Sequence, residues 1–177
     1  MISLETDRLT IRSFSPDDWQ ELQELAIEYR ASRWAQYEDP WPTSEEEVKG
    51  MAQWFAGGDG YLAACLKTTG KLIGLVAINR RGEQEGQIRN LGYVFHPGYY
   101  GQGYATEGCR AAMGYVFGPL AADGILTGTH PANEPSVKLL KRLGLTEVRR
   151  GEFALSRAEW LADVLIRRLN EERKEKP

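Results

Sequence analysis

The order of the predicted elements indicates an α+β domain with a mixed β-sheet flanked by helices. Hydrophobic periodicity gives several strands first, and then helix, strand, helix and strand in turn. The chain has 177 residues, of which 42% are hydrophobic, and this is enough for one core. Because no repeat or linker interrupts it, we expect one domain over residues 1–177, with a core at 4–155, a helix at 156–172 and a charged tail at 173–177.

The N-terminal part of the chain is predicted to form a strand and two helices. Residues 8–14 alternate apolar and polar side chains, which is typical of a half-buried strand. Ser15 then stands before proline and two aspartates and caps the first helix. A loop rich in aromatic residues and proline, residues 30–43, leads to the second helix, which begins at Ser44 with glutamates in its first turn.

The middle of the chain is predicted to form a hairpin and one further strand. Apolar runs at 61–67 and 72–79 flank a Thr-Gly turn, a pattern that indicates two antiparallel strands. Residues 87–95 are expected to extend the sheet as one strand. This part of the chain therefore supplies most of the predicted sheet.

The second half of the chain alternates helices and strands. Ser156 and Glu159 have the spacing of a capping box ahead of the last helix. The expected elements are a helix at 104–117, a strand at 125–129, a helix at 133–143, strands at 145–148 and 152–155, and a helix from Trp160 to about Glu172.

Residues 98–107, Gly-Tyr-Tyr-Gly-Gln-Gly-Tyr-Ala-Thr-Glu, lie between an apolar strand and a helix. The glycines at 98, 101 and 103 leave the backbone bare, so that a row of N–H groups can approach an anion at the positive end of the helix. The pattern predicts a phosphorylated ligand.

Two better-known phosphate loops fit this segment less well. A nucleoside-triphosphate loop needs Lys-Ser/Thr after its last glycine, where this chain has Tyr104 and Ala105. A dinucleotide fingerprint needs a third glycine where Thr106 stands, although Asp123 echoes its ribose-binding acid. A nucleotide-binding oxidoreductase therefore remains only a weaker alternative.

Three blocks in order resemble the GNAT superfamily of acyl-CoA N-acyltransferases. Residues 98–107 resemble its pyrophosphate-binding motif, and residues 133–145 resemble its second motif, Asn-x-x-Ser on a helix. Residues 4–12 are similar to the opening strand of the branch that acetylates ribosomal-protein N-termini. The resemblance implies a splayed, mostly antiparallel sheet with a cleft between its halves, and transfer of an acetyl group from acetyl-CoA to a primary amine.

The resemblance also implies which residues bind the coenzyme. A backbone N–H of Val94 or Phe95 is expected to stabilise the oxyanion that forms on the thioester carbonyl. The full set of expected coenzyme contacts is Val94, Phe95, His96, Gly98, Gly101, Gln102, Gly103, Tyr104, Ala105, Thr106, Asn133 and Ser136.

The candidate catalytic residues are Ser136, Asn133 and Glu85. A hydroxyl near the sulfur can protonate the leaving thiolate, and Ser136 is the candidate because it stands three residues past Asn133, at a helix start that the resemblance places beside the coenzyme. Many relatives use a tyrosine where this chain has Leu140, so either Ser136 or a water is expected to serve. Ser136 and Asn133 are also ordinary residues for a helix start, so a capping role stays open.

The general base has no clear candidate in the sequence. Relatives in this branch often carry a glutamate where this chain has Asn90. Glu83 and Glu85 lie in the preceding charged loop and are candidates, although a solvated turn explains that loop as well. His96 has a suitable ordinary pKa but stands in a turn before proline. The departures at Asn90 and Leu140 keep a non-catalytic acyl-CoA-binding module as an alternative.

The amine acceptor is expected to be a small molecule or a peptide, bound near the aromatic loop. Its rings, Trp34, Tyr37 and Trp41, either contact the amine or cover the edge of the sheet. The net charge of −3 and the pI near 5.5 exclude a general nucleic-acid binder.

The remaining features of the sequence limit the expected cellular location and the expected cysteine and metal chemistry. With no apolar run of eighteen residues and an early charged N-terminus, we expect a cytoplasmic protein that does not bind membranes. Cys65 and Cys109 lack C-x-x-C spacing and are expected to be reduced core residues, with no metal site. The chain is expected to be a monomer or a homodimer.

Overall fold

Nine strands and five helices are present in the computed structural model, which describes residues 1–81 and 87–174. The strands are β1 Ser3–Glu5, β2 Leu9–Ser13, β3 Tyr61–Leu66, β4 Leu72–Ala77, β5 Ile88–Arg89, β6 Gly92–Phe95, β7 Gly124–Gly128, β8 Thr146–Arg149 and β9 Glu152–Ser156. The helices are α1 Trp19–Ala31, α2 Glu45–Ala56, α3 Tyr104–Phe117, α4 Glu134–Arg142 and α5 Arg157–Lys174.

The strands form two hydrogen-bonded sheets. The first has the order β1-β2-β3-β4-β6 and is antiparallel throughout. The second has the order β5-β7-β9-β8, in which β5 and β7 are parallel and the other pairs antiparallel. The predicted α+β class, with a mixed and mostly antiparallel sheet that splays apart, is confirmed.

The single strand expected at residues 87–95 is wrong, because that segment changes its pairing partner midway. Its first part, β5, pairs with β7 of the second sheet, whereas its last part, β6, pairs with β4 of the first. Between them, the Leu91 carbonyl accepts a hydrogen bond from the Thr127 hydroxyl at 2.7 Å. Adjacent strands twist relative to one another and diverge, and at this point the divergence separates the first sheet from the second.

Most other boundaries agree with the sequence. The helix predicted at 104–117 has those limits as α3. The predicted capping box is formed, since the Ser156 N–H donates to Glu159 Oε2 at 2.8 Å and the Glu159 N–H to Ser156 Oγ at 3.3 Å. The last helix begins at Arg157, directly after this cap, and therefore earlier than predicted.

Helices cover both faces of the first sheet. On one face, α3 packs on β2, β3 and β4, and its core continues into the second sheet, α4 and Trp160 of α5. On the other face, α1 and α2 pack through Leu22, Leu25, Val48 and Ala52. Cys65 and Cys109 are buried and free, as predicted. Within the described ranges, no helix is both long and apolar enough to cross a membrane.

The ring of Phe95 fixes the position of β6 against β4 and α3. A Cβ atom at Gly74 would lie 2.5 Å from Phe95 Cδ1, and one at Gly108 would lie 3.2 Å from Phe95 Cζ. The absence of side chains at these two glycines therefore leaves the space that the ring occupies. Because Phe95 is only 5% exposed, it has no other place to move without opening the core.

We predict that Gly74→Ala destabilises the fold by about 1–3 kcal/mol, because the added methyl group overpacks the Phe95 ring. Gly114→Ala is the matched control: it lies within α3 with no atom within 4 Å of its Cβ position, and alanine stabilises a helix interior by roughly 0.5–1 kcal/mol. Urea unfolding measures both changes, and equal effects of the two variants would contradict the prediction.

Candidate functional site

The glycine loop before α3 depends on two left-handed glycines. Gly101 has φ of 75° and Gly103 has φ of 84°, a region that residues with a Cβ rarely occupy. Gly103 is the N-cap of α3 and offers no side chain to the exposed amides of the first turn. The amides at this helix end are thus left for a ligand.

The row of unpaired amides begins at Gly101. In the part of the chain that the structure describes, no acceptor lies in hydrogen-bond range of the amides of residues 101–106. The Gly98 N–H, which the sequence placed in this row, donates instead to His96 Nδ1 at 3.0 Å. The row is therefore shorter than predicted, because an imidazole in the preceding turn takes its first donor.

Glu107 ties the glycine loop to the N-terminal hairpin. Its carboxylate accepts from Thr6 Oγ1 at 2.6 Å, from the Arg8 N–H at 2.8 Å and from Arg8 Nε at 2.7 Å. Arg8 also donates to the Gln102 carbonyl at 2.9 Å and covers the Tyr104 ring at 4.3 Å. We call these contacts the Glu107 clamp. Glu107 therefore has a structural role at the start of α3.

A cavity of about 580 Å³, here called the loop cavity, runs from the glycine loop to the start of α4. Arg33, Lys138 and Arg142 lie on its walls and make it suitable for an anion. Of the predicted contacts, the following line it: Val94, Phe95, Gly101, Gly103, Tyr104, Ala105, Thr106, Asn133 and Ser136.

Three predicted contacts, His96, Gly98 and Gln102, do not line this cavity. The His96 ring shapes the turn by accepting from Gly98, and its Nε2 lies 3.5 Å from Glu24 Oε1 on the side of α1. The Gln102 carbonyl is engaged by Arg8. The His96 ring, the Gly98 N–H and the Gln102 carbonyl are engaged by other groups of the protein, so these residues help to hold the loop in place.

The free edge of β6 presents amides to the split between the sheets. The Asn90 N–H donates to the carbonyl of Asn79, just after β4, and the His96 N–H donates to the carbonyl of Ile73 in β4, both at 2.8 Å. Because amides alternate along a strand, the Val94 N–H points the same way, whereas those of Tyr93 and Phe95 point away from β4. Of the two oxyanion donors considered, this register favours Phe95.

Tyr93 is a site residue that the sequence reasoning missed. Its hydroxyl lies 2.8 Å from Ser136 Oγ and 3.3 Å from the Ser136 carbonyl oxygen. Burial raises the pKa of Tyr93 well above its ordinary value, and the hydrogen bond with Ser136 only partly opposes this, so the phenol keeps its proton near neutral pH. The sequence does hold a signal that could have identified Tyr93, because it stands two residues before the predicted oxyanion donor Phe95.

The start of α4 combines capping with a position beside the cavity. The Ser136 N–H donates to Asn133 Oδ1 at 3.4 Å, so the predicted N-cap role of Asn133 is confirmed. Leu140 is buried and supplies no hydroxyl. Both Asn133 and Ser136 line the loop cavity, as the resemblance implies.

A second cavity, of about 680 Å³ and here called the aromatic cavity, lies on the other side of Tyr93. The two cavities share four lining residues: Glu38, Tyr93, Val94 and Ser136. Five aromatic side chains line the aromatic cavity besides Tyr93 and His130: Tyr37, Trp41, Trp54, Phe55 and Tyr61. Of the three rings of the aromatic loop, Tyr37 and Trp41 line the aromatic cavity, whereas Trp34 lines the loop cavity.

Glu38 places a carboxylate at the wall that the two cavities share. Burial raises its pKa, and the Tyr29 hydroxyl partly opposes that shift. Sequence reasoning missed Glu38 because it stands in the aromatic loop, far along the chain from the motifs. Asn90 lines the aromatic cavity with an amide, while Glu83 and Glu85 lie outside the described residues.

Comparison with protein families identifies one matching family model. The model described as "Acetyltransferase (GNAT) domain" matches residues 8–146. Among curated proteins, an uncharacterised N-acetyltransferase of Bacillus subtilis, YnaD, is 29% identical over 144 residues, which cover 80% of this chain and 81% of the relative. An uncharacterised N-acetyltransferase of Bacillus licheniformis, p20, is 26% identical over 81% of this chain and 82% of the relative.

Solved acetyltransferase structures have the same fold. A GNAT-family acetyltransferase from Bacillus anthracis superposes with a TM-score of 0.79 at 21% identity, covering 89% of this chain and 99% of that one. A putative ribosomal-protein-serine acetyltransferase from Vibrio cholerae gives 0.72 at 24% identity, covering 88% and 97%. A Vibrio cholerae spermidine N-acetyltransferase, solved with CoA and spermine, gives 0.73 at 18% identity, covering 88% and 99%.

We predict that Glu107→Gln lowers the unfolding free energy at pH 7 by about 1–2 kcal/mol, because it removes charge-assisted hydrogen bonds of the clamp. Burial raises the pKa of Glu107, but the bonds from Thr6 and Arg8 outweigh it and the net pKa is lowered. A lowered folded-state pKa stabilises the protein above the unfolded value, about 4.3, and this stabilisation is lost as pH falls through the folded pKa.

Urea unfolding of the wild type and Glu107→Gln at pH 7 and at decreasing pH below about 4.3 measures this difference. The two proteins should converge in stability at the acidic end. Glu134→Gln is the control, since Glu134 forms only an exposed ion pair with Lys138 at 3.1 Å, worth roughly 0–1 kcal/mol. A gap between wild type and Glu107→Gln that is independent of pH would contradict the prediction.

Proposed function

This chain belongs to the acetyltransferase (GNAT) family, so we propose that it transfers the acetyl group of acetyl-CoA directly to a primary amine, either of a small molecule or of a protein N-terminus. The observation that carries this proposal is the shared wall of the two cavities. There Tyr93, Ser136 and the free edge of β6 separate an anion-binding groove from a chamber large enough for an acceptor. The family match leaves no support for the nucleotide-dependent oxidoreductase considered from sequence.

The loop cavity fits a coenzyme A diphosphate. The amides of residues 101–106 are unpaired and available to an anion at the positive end of α3, and Lys138 and Arg142 add positive charge to the groove. When bound there, acetyl-CoA supplies a thioester carbonyl that a neutral amine can attack.

The free edge of β6 supports the acyl transfer step. Attack on a thioester carbonyl places negative charge on its oxygen, and a fixed N–H lowers that barrier. The Phe95 N–H points away from β4 into the split, and the ring of Phe95, wedged at Gly74 and Gly108, holds this amide in place. We therefore assign the oxyanion contact to Phe95.

The Tyr93–Ser136 pair supports protonation of the departing thiolate. A thiol of pKa about 8.5 leaves faster when a positioned acid donates to its sulfur. The two hydroxyl oxygens are 2.8 Å apart, so the pair acts as one donor group. One hydroxyl donates its proton to the sulfur, and the other hydroxyl then replaces that proton. This pair takes the place of the tyrosine that Leu140 does not supply.

We predict that Gly103→Val weakens acetyl-CoA binding at least tenfold, because valine does not hold the φ of 84° that directs the loop amides. Gly70→Val is the control: Gly70 has φ of 75° in the β3–β4 turn and no atom within 4 Å of its Cβ position. Both variants lose about 1–2 kcal/mol of stability from the left-handed residue. Calorimetric titration with acetyl-CoA separates them, and equal affinity in both variants would contradict the assignment of the loop.

We predict that Tyr93→Phe and Ser136→Ala each lower kcat roughly 10²-fold while the Kd for acetyl-CoA stays within twofold, because the pair acts on the departing thiolate. The double variant should be little slower than either single one, since the hydroxyls act as a unit. Tyr115→Phe, on α3 outside both cavities, is the control. Turnover is followed as free thiol released from acetyl-CoA in the presence of amine, and wild-type kcat in Tyr93→Phe would remove Tyr93 from the mechanism.

A further inference from the structure

The aromatic cavity has a composition that specifies its ligand. We propose that it binds one primary amine carried on an aromatic, apolar body, and that Glu38 holds the ammonium group and accepts its proton. This inference rests on the acetyl transfer proposed above and names the acceptor of that reaction.

The walls of the cavity form an aromatic surface. The rings of Phe55 and Tyr61 stack with centroids 4.2 Å apart, and Trp54 lies 5.0 Å from Tyr61. Trp54 is 65% exposed, so a large indole is kept at the cavity where a ligand can cover it. Flat apolar ligands bury well against such rings, and aromatic pairs add about 0.5–1.5 kcal/mol beyond the buried area.

A stacked pair of rings lies where the aromatic loop meets the second sheet. Tyr37 stacks on His130 with centroids 4.7 Å apart and an interplanar angle of 19°. The imidazole is held in turn, because its Nδ1 accepts from the Ala132 N–H at 3.2 Å. The loop is thereby joined to the segment between β7 and α4, and both sides of this contact line the cavity.

The charge of the lining selects a ligand with one cationic group. Among the lining residues in the described part of the chain, Glu38 is the only acid, and there is no lysine or arginine. An amine with one ammonium group finds its partner in this carboxylate and in the faces of the rings. A polyamine would carry further ammonium groups into walls of rings, aliphatic carbons, amides and hydroxyls, and would lose hydration without a matching carboxylate.

The position of Glu38 brings the amine to the reacting groups. Glu38 lines both cavities together with Tyr93 and Ser136, so an amine held at this carboxylate lies beside the hydroxyl pair. A primary alkylamine is mainly charged at pH 7 and must lose a proton before it attacks a carbonyl. A carboxylate that loses solvent at a cavity wall is a suitable acceptor for that proton.

The protons and bonds of the transfer balance with these residues. The ammonium group gives one proton to Glu38, the nitrogen bonds to the acetyl carbon, and the carbon–sulfur bond breaks. The thiolate takes a proton from the Tyr93–Ser136 pair, and the second proton leaving the nitrogen restores that pair. Glu38 then releases its proton to water, so one proton is produced for each amide formed.

The acceptor class is tested with a panel of amines and acetyl-CoA. We expect kcat/KM for 2-phenylethylamine and tryptamine to exceed that for spermidine, an aminoglycoside, and peptides beginning with alanine or serine by at least tenfold. n-Hexylamine should fall between these groups, because it is apolar but lacks a ring. A preference for spermidine or for the peptides would overturn the inference while leaving acetyl transfer intact.

The role of Glu38 is tested with Glu38→Gln against Asp39→Asn, which removes the same charge one residue further on. Asp39 lines neither the loop cavity nor the aromatic cavity. We expect Glu38→Gln to lower kcat with 2-phenylethylamine at least 10²-fold, with an unchanged Kd for CoA, and Asp39→Asn to stay within twofold of wild type. Equal activity of the two variants would overturn the role of Glu38.

A binding measurement separates failure of this inference from failure of the proposed reaction. Calorimetry of 2-phenylethylamine with the CoA-saturated protein should detect binding that Trp54→Ala weakens several-fold. Binding without turnover would support the acceptor site and contradict the transfer reaction. Turnover of other amines with no binding of 2-phenylethylamine would contradict the acceptor site and support the reaction.

Discussion

The splitting of one strand segment between two sheets is the constraint on which the site depends. From Arg89 to Tyr93, the contacts on the side of the segment that faces away from β4 are made through progressively longer groups. Arg89 pairs with Ile125 through the backbone, Leu91 is reached by the Thr127 hydroxyl, and the Tyr93 phenol meets Ser136 of α4. By Phe95 no such contact remains, and the backbone edge is open to the cavity. The opposite edge of β6 is paired with β4 from Gly92 to Phe95, which keeps this part of the segment rigid while the gap widens.

Packing turns this open edge into a defined site. The ring of Phe95 fits where Gly74 and Gly108 have no side chains, so the strand amide and the start of α3 are set by the same contact. The Glu107 clamp holds the other side of the glycine loop against the N-terminal hairpin. Strand amides and helix amides therefore converge on one groove, held by the Phe95 ring on one side and by the Glu107 clamp on the other.

The two cavities divide the work of an acyl transfer between them. The loop cavity is lined by bare amides and by three cationic side chains, which suit an anionic coenzyme, whereas the aromatic cavity is lined by rings and has no lysine or arginine among the described residues. The carboxylate of Glu38 lines both. Tyr93 and Ser136 belong to both, and this is the place where the proposed acceptor and the thioester would meet. The proposed base comes from the loop between α1 and α2 and lines the aromatic cavity, as does Asn90 from the short segment between β5 and β6.

Features encoded within a few neighbouring residues were predicted correctly. Local backbone preferences, which neighbouring residues encode, decide the bounds of α3, the caps at Asn133 and Ser156, and the glycine loop. The motif order was likewise enough to identify the family and its splayed fold.

Features that join distant segments were not predicted. Tyr93 and Ser136 are 43 positions apart, and their contact exists because α4 packs across the split that opens beside β6. Glu38 reaches the same wall because the aromatic loop folds over the cavity, and the Gly98 N–H leaves the row of amides because it donates to His96 Nδ1. Hydrophobic periodicity reports which residues are buried, but it carries no information on which buried or cleft-facing groups become neighbours, because that depends on the packing of elements far apart along the chain.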